Sequence, residues 1–439
     1  MKKILTYICA GALVLSTFSC AKDPWNFTPD NKKAAPLSPS QVAQKLNDTG
    51  VAVLEEADPD NWKEWGQSAL KLYSALQNVS FNKAENGLAD DLEDLMVAIE
   101  KKDAWTITTI TIKLSLVKGD LKIVNDECVY TKSDNPLNLT YVYGGKTYVA
   151  KFEAKDSNNN IIVSEHEYLS EDKKEITILN VPTKAAIHVT ENGKLFLDVN
   201  VYPQVIDQDK DGKFGQNDVL KGSATVEIPD YYLELNSLTM TADEAKARVA
   251  LSHKGKRIFA LDGGVEMELQ NLNTKSVNEL RGINIVRKKS AISSLINVID
   301  DTEFNVLAAD GKAVVKGKFD VEDLKKLSSE ADTEAAAQIL AVAWNKAAKA
   351  DLFFDGNATV QASLVYLPVA PTFKDDADPG YWEVQPGIHF YDGSKDMTFE
   401  EFYMTCMEEE AFEEVIEDAK VFVAKLKFYY ENLLPKKLN

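Results

Sequence analysis

Apolar and polar residues trade places at almost every step along the middle of this chain. Ile110, Ile112, Leu114 and Leu116 alternate with Thr111, Lys113 and Ser115, and Leu195, Leu197, Val199 and Val201 stand against Lys194, Phe196, Asp198 and Asn200. Successive side chains of a strand point to opposite faces, so a period of two gives each strand one face for a core and one for water. Val226 with Ile228, Leu233 with Leu235, and Val265, Met267 and Leu269 continue the pattern. A repeated turn punctuates it: Gly144-Gly145-Lys146, Asn192-Gly193-Lys194, Lys254-Gly255-Lys256 and Asp310-Gly311-Lys312. Gly and Asn accept the positive φ of a tight hairpin tip. Their irregular spacing predicts a meander of hairpins rather than a solenoid. Asp262-Gly263-Gly264 reads as one more hairpin turn.

The period changes toward both ends. Ser38-Pro39-Ser40-Gln41 combines a cap, a proline at the first helical position and a glutamine three residues after the cap. Asp58-Pro59 opens a second helix bearing Trp62, Trp65, Leu70, Tyr73 and Leu76. Leu88, Leu92, Leu95 and Ile99 form one face of a third. An Ala-rich helix is expected at 333–349, strands at 303–319 and 362–369, and a helical pair from Thr398, whose Glu401 completes a capping box. The fold class expected is α+β: a helical N-terminal segment, a large antiparallel β region of hairpins and a C-terminal helical pair. The expected divisions are 1–19, 20–37, 38–104, 105–320 and 321–439.

The first twenty residues carry an address. Lys2 and Lys3 precede an apolar run from Ile4 to Leu15, too short for the ~20 residues of a permanent span. Ser19-Cys20 ends it. This layout resembles the bacterial lipoprotein signal, although Thr17 stands where that signal has leucine. Lys22-Asp23 resembles the charged start of surface lipoproteins of Bacteroidota. The resemblance implies cleavage before Cys20, a diacylglycerol on its thiol, and attachment to the outer membrane through that lipid. Residues 20–37 then form a polar, Pro-bearing tether.

Composition narrows the partners. The net charge of −20, from 69 acids against 49 bases, repels phosphate backbones and argues against nucleic acid. Cys128 and Cys406 are the cysteines left after the signal and Cys20, and they read as two buried free thiols. The four histidines, His166, His188, His253 and His389, show no metal-ligand spacing, and no nucleophile elbow, P-loop or dinucleotide fingerprint occurs. Trp62, Trp65, Trp105, Trp344 and Trp382 read as core.

One loop carries chemistry. Asp207-Gln208-Asp209-Lys210-Asp211-Gly212-Lys213 leads through Phe214 and Gly215 to Asp218. It resembles the twelve-residue EF-hand calcium loop. The resemblance implies ligands from Asp207, Asp209 and Asp211, from the backbone oxygen of Lys213 and from Asp218, with Gly212 at the sharp turn. Pro203 argues against an entering helix, so the expectation is a structural calcium loop between two strands. The functional expectation is a non-enzymatic binding or structural lipoprotein of the envelope, with a glycan, lipid or protein ligand. A carboxylate-based polysaccharide hydrolase and a lipid carrier are the alternatives.

Overall fold

The alternating runs do form strands, and the structure, a computed structural model, describes residues 33–78, 99–104, 106–124, 127–168, 173–213, 218–267, 299–371 and 380–430. The expectations for the signal, Cys20, the helix at 88–95, Trp105 and Leu269 lie outside them.

Two helices come first, α1 (Pro39–Glu56) and α2 (Pro59–Asn78). Ser38 and Gln41 make the expected capping box. Strands follow: β1 (Ile99–Ala104), β2 (Ile107–Ile112), β3 (Lys118–Val124), β4 (Glu127–Pro136), β5 (Asn138–Tyr143), β6 (Lys146–Lys155), β7 (Asn160–Tyr168), β8 (Lys173–Asn180) and β9 (Lys184–Glu191). The meander is β10 (Lys194–Ile206), β11 (Val219–Ile228), β12 (Tyr231–Met240), β13 (Glu244–His253), β14 (Lys256–Met267), β15 (Ile299–Ala308) and β16 (Ala313–Asp320). Then come α3 (Val321–Lys326), β17 (Glu330–Ala331), α4 (Glu334–Ala347), β18 (Ala348–Phe354), β19 (Ala362–Val369), β20 (Trp382–Phe390), β21 (Met397–Thr398), α5 (Phe399–Glu408) and α6 (Glu413–Tyr430).

The fold is α+β. A small sheet has the order β1-β2-β8-β7, with β2 and β8 parallel. The main sheet runs β4-β3-β5-β6-β9, through the meander β10 to β16, and on to β18, β19 and β20. Its pairings are antiparallel except β3 with β5. The expected tips have positive φ at Gly144, Gly145, Asn192, Gly193, Lys254, Gly255, Asp310 and Gly311.

Several expectations are corrected. The last residues of 38–104 are a strand, β1, because they pair with β2 and not with a helical neighbour. The sheet does not stop at 320: β16 pairs directly with β18, so 321–347 is a crossover within one sheet. Leu114 and Leu116 leave the alternation in a short 3-10 turn, Leu114–Leu116, between the two sheets. Gly263 and Gly264 sit inside β14, opposite Ala247 and Lys246. A Cβ at Gly263 would lie 3.3 Å from the Glu303 carbonyl oxygen and one at Gly264 2.9 Å from Lys246. These glycines serve close approach, not reversal.

Register sorts the two faces of the main sheet. On one, Arg248, Asp262, Asn305, Lys316, Asp351, Ser363 and His389 form a single polar row across β13 to β20. On the other, the rows are apolar, such as Leu251, Phe259, Ala308, Ala313 and Phe354. The helices cover this apolar face from the hairpin-tip end. Trp62 and Trp65 of α2 pack over Phe196, Val226, Leu233 and Leu251. Val42 and Ala43 of α1 and Phe402 and Cys406 of α5 pack over Phe354, Ala362 and Phe390. Ala337, Ala341 and Trp344 of α4 cover Tyr366 and Val384 of β19 and β20. The large apolar side chains buried in these contacts each contribute about 1.5–3 kcal/mol.

The outermost helix, α6, rests on α1. Buried Asn47 accepts the Val415 N–H at 3.1 Å, satisfying an amide of the first turn of α6. Gly50 lets Val415 approach, since a Cβ there would sit 2.5 Å from the Val415 methyl. Lys425 ties α6 to α2 through Asp58 at 2.6 Å and Asp60 at 2.7 Å. Cys128 and Cys406 are free and buried in separate clusters, and burial pushes both thiols up to about 11.

Candidate metal centre

β10 ends at Ile206, which pairs with Val219, the first residue of β11. The acidic loop therefore closes a hairpin, as its flanking sequence suggests, and no helix enters it. β10 continues past Pro203, farther than the sequence implies. Beyond Val201 its β9 side is unpaired, so a residue without an N–H is accommodated there.

Within the loop, carboxylates take up backbone amides. Asp207 accepts from the N–H of Lys210 at 2.6 Å and of Gly212 at 2.8 Å. Asp211 accepts from Lys213 at 2.7 Å, and Asp209 from Asp211 at 3.4 Å. Lys210 and Gly212 have φ of 60° and 76°, and only glycine takes such a turn without strain. The folding of the loop brings three carboxylates together: Asp207, Asp209 and Asp211 each offer an oxygen within 4.8 Å of the others. Asp207 is half-buried and the other two are exposed. Among the described residues this is the one group of three or more His, Cys, Asp or Glu side chains close enough to share an ion.

Of the other two expected ligands, Asp218 is placed differently. Asp218 is buried at 5 % exposure and accepts the Gln208 N–H at 3.1 Å; it lies outside the group of three. The Lys213 side chain bonds Glu165 of β7 at 2.7 Å. Phe214 and Gly215 fall outside the described residues.

No local pattern points to what the loop rests on. Gly212 accepts the Ile162 N–H at 2.7 Å, and Lys213 bridges to Ile162 in a parallel sense. Asn159 donates to the Val205 carbonyl at 2.5 Å. The loop thus ties the main sheet to β7 of the small sheet. Hydrogen bonds from Lys213 and then Lys174 hold the Glu165 carboxyl below its ordinary range, and Glu165 raises Lys213 in return. Glu165 and Lys213 stand 48 positions apart, and Asn159 and Val205 stand 46 apart, so neighbouring residues carry no trace of either contact.

Three carboxylates at this separation repel one another. Their oxygens are hard donors without imidazole or thiolate among them, which suits calcium or a similar hard cation and not a soft transition metal. Such a donor set can fix a loop and attract cations. Among the described residues no helix is long and apolar enough to cross a membrane. Comparison with protein-family models, with curated proteins and with solved structures finds no match to this chain.

Proposed function

We propose that the chain is a lipid-anchored envelope lipoprotein, held at the outer membrane through Cys20, that acts as a non-enzymatic binding or structural module. A calcium-type ion among Asp207, Asp209 and Asp211 closes its 207–218 loop. The observation that carries this reading is the convergence of those three carboxylates where the main sheet meets the small one. An ion there offsets their repulsion and stiffens the junction through Gly212 and Lys213. The loop is single among the described residues and joins strands, which favours a fixed clamp over a sensor that opens a helix pair.

The clamp is tested by unfolding the protein in calcium and in chelator. Because the ion binds the native state, calcium at a hundredfold excess over its dissociation constant is expected to add about 2.7 kcal/mol. Asp209→Asn with Asp211→Asn should abolish that gain. A midpoint that does not move with calcium removes the ion from the reading.

The anchor has its own test. Cys20→Ala is expected to move the protein from the membrane fraction to the soluble fraction. Retention of the variant in the membrane would count against lipid attachment at that thiol.

A further inference from the structure

Among the described residues, the apolar face of the main sheet is not fully covered. Past the row packed under α1 and α2, three more rows cross β13, β14, β15, β16 and β18: Val249, Leu261, Val306, Val315 and Leu352; then Ala247, Gly263, Phe304, Gly317 and Ala350; then Ala245, Val265, Thr302, Phe319 and Ala348. Thr302 is the one polar side chain in the three rows. Gly317 and Ala348 are buried and the rest are half-buried; Leu352, at the β18 end of the first row, packs against the cluster under α1 and α5, and the other half-buried residues lie beyond that cluster.

The surroundings make this strip a trough. α1 and α2 stand over the hairpin-tip end of the same face, and α4 stands over β19 and β20. Helices packed on a sheet rise about 10 Å above it, so a broad flat partner such as the sheet of a second copy is held off. The floor is smooth. The Phe304 ring lies against Gly317, where a Cβ would come within 2.3 Å of it, and Phe319 meets that ring at 5.4 Å. The strand amides and carbonyls are spent on the ladders. A protein partner needs about one hydrogen bond per 100–200 Å², and this surface offers one hydroxyl. The charged residues of these stretches, such as Lys246, Asp262, Glu303 and Lys318, alternate with the three rows and face the other way. On that other face the next row, Ala250, Ala260, Leu307, Val314 and Phe353, is apolar but buried, so the half-buried apolar rows lie on one face. Contiguous apolar surface of this extent marks a ligand or interaction site.

We infer that this trough holds the acyl chains of a membrane lipid. The inference rests on reading the protein as a binding module and names its ligand. A hydrocarbon chain requires no hydrogen bonds, and it is thin and flexible enough to lie between flanking helices. The size agrees. Five strands at about 4.8 Å span roughly 20 Å, and three rows cover about 14 Å along the strands. Each chain of a bilayer leaflet reaches about 15 Å, half the ~30 Å core. Two chains side by side fit.

The full mature chain carrying Cys20→Ala, so that no anchor of its own can occupy the trough, is stripped of lipid and titrated with phosphatidylethanolamine bearing one fluorescent acyl chain. Saturable uptake is expected. Ala247→Trp fills the trough opposite Gly263 and should weaken uptake at least tenfold. Ala350→Phe fills the same row from β18 and should do likewise, which keeps the test decisive if one variant does not fold. Lys246→Ala, on the polar face, should leave uptake unchanged. Absence of saturable uptake by the parent, or uptake by both filled variants equal to the parent's, overturns the inference. The same samples are melted with and without calcium. A calcium-dependent midpoint without lipid uptake rejects the lipid alone, and uptake with an unmoved midpoint rejects the clamp alone.

Discussion

Phe390→Ala is expected to destabilise the protein by about 3–5 kcal/mol, the usual loss for a buried aromatic truncated to alanine. Phe390 is 1 % exposed and lies on the apolar face of β20, opposite Ala362. Its ring stands 5.8 Å from Phe402 of α5 and shares a cluster with Val42 and Ala43 of α1. The side chain therefore joins three elements that come from opposite ends of the chain. Its removal leaves a cavity that none of them can collapse into alone. Denaturant unfolding should show the loss as a lower midpoint. Phe428→Ala supplies the contrast: that ring is 79 % exposed on α6, and its removal should change stability by no more than about 0.5 kcal/mol. Equal effects at the two positions would mean that α1 and α5 do not dock on β20 as described.

The second large effect is expected at Glu56, the last residue of α1. Its carboxylate accepts from His253 Nδ1 at 2.7 Å and from Lys256 at 2.6 Å. Its carbonyl accepts from the Tyr231 hydroxyl at 3.0 Å, and the Tyr231 ring stacks on His253 at 4.4 Å. The His253 side chain is 6 % exposed, and among the described residues its Nε2 has no hydrogen-bond partner. Glu56→Ala would leave the other ring nitrogen unpaired as well, at a cost of about 2–3 kcal/mol. Glu56→Gln should cost less, since it keeps one acceptor.

The carboxylate also makes this latch pH-dependent. Burial raises the Glu56 pKa, but hydrogen bonds from Lys256 and His253 outweigh it and hold the group below its ordinary 4.5. A depressed carboxylate stabilises the native state in full above its unfolded value and loses that contribution as pH falls through the folded one. The stability gap between the parent and Glu56→Gln should stay constant above about pH 5 and close progressively below about pH 4.5. A gap that persists unchanged to about pH 3 would show that the charge on Glu56 does not contribute.

Much of the local architecture is legible in the order of residues. Ser38 with Gln41 and Thr398 with Glu401 mark helix starts because a side chain and a backbone amide three residues away suffice to make the cap. Asn192-Gly193 and Lys254-Gly255 mark tips because positive φ is a demand on one or two residues. The acidic loop is legible for the same reason, since Asp207, Asp209, Asp211 and Gly212 are neighbours whose spacing sets their geometry.

The departures from those local rules are equally physical. Gly263-Gly264 satisfies the chemistry of a turn, yet pairing with Ala247 and Lys246 on one side and Phe304 and Glu303 on the other holds it in the middle of β14. Leu114 and Leu116 alternate correctly but form a 3-10 turn between β2 and β3. The helical pattern that reaches Ile99 meets β2 there, and pairing overrides it.

Short-range interactions along the chain settle which residues alternate, where the backbone can reverse, which helices begin at caps, and that three carboxylates crowd one loop. The three-dimensional arrangement settles the rest: that β16 skips to β18, that the loop leans on Ile162 and Glu165, and that apolar positions from β13 to β18 align into rows. Those outcomes depend on register between distant strands. Register is set by the summed burial of whole faces against the helices, a quantity that no single stretch of the chain contains.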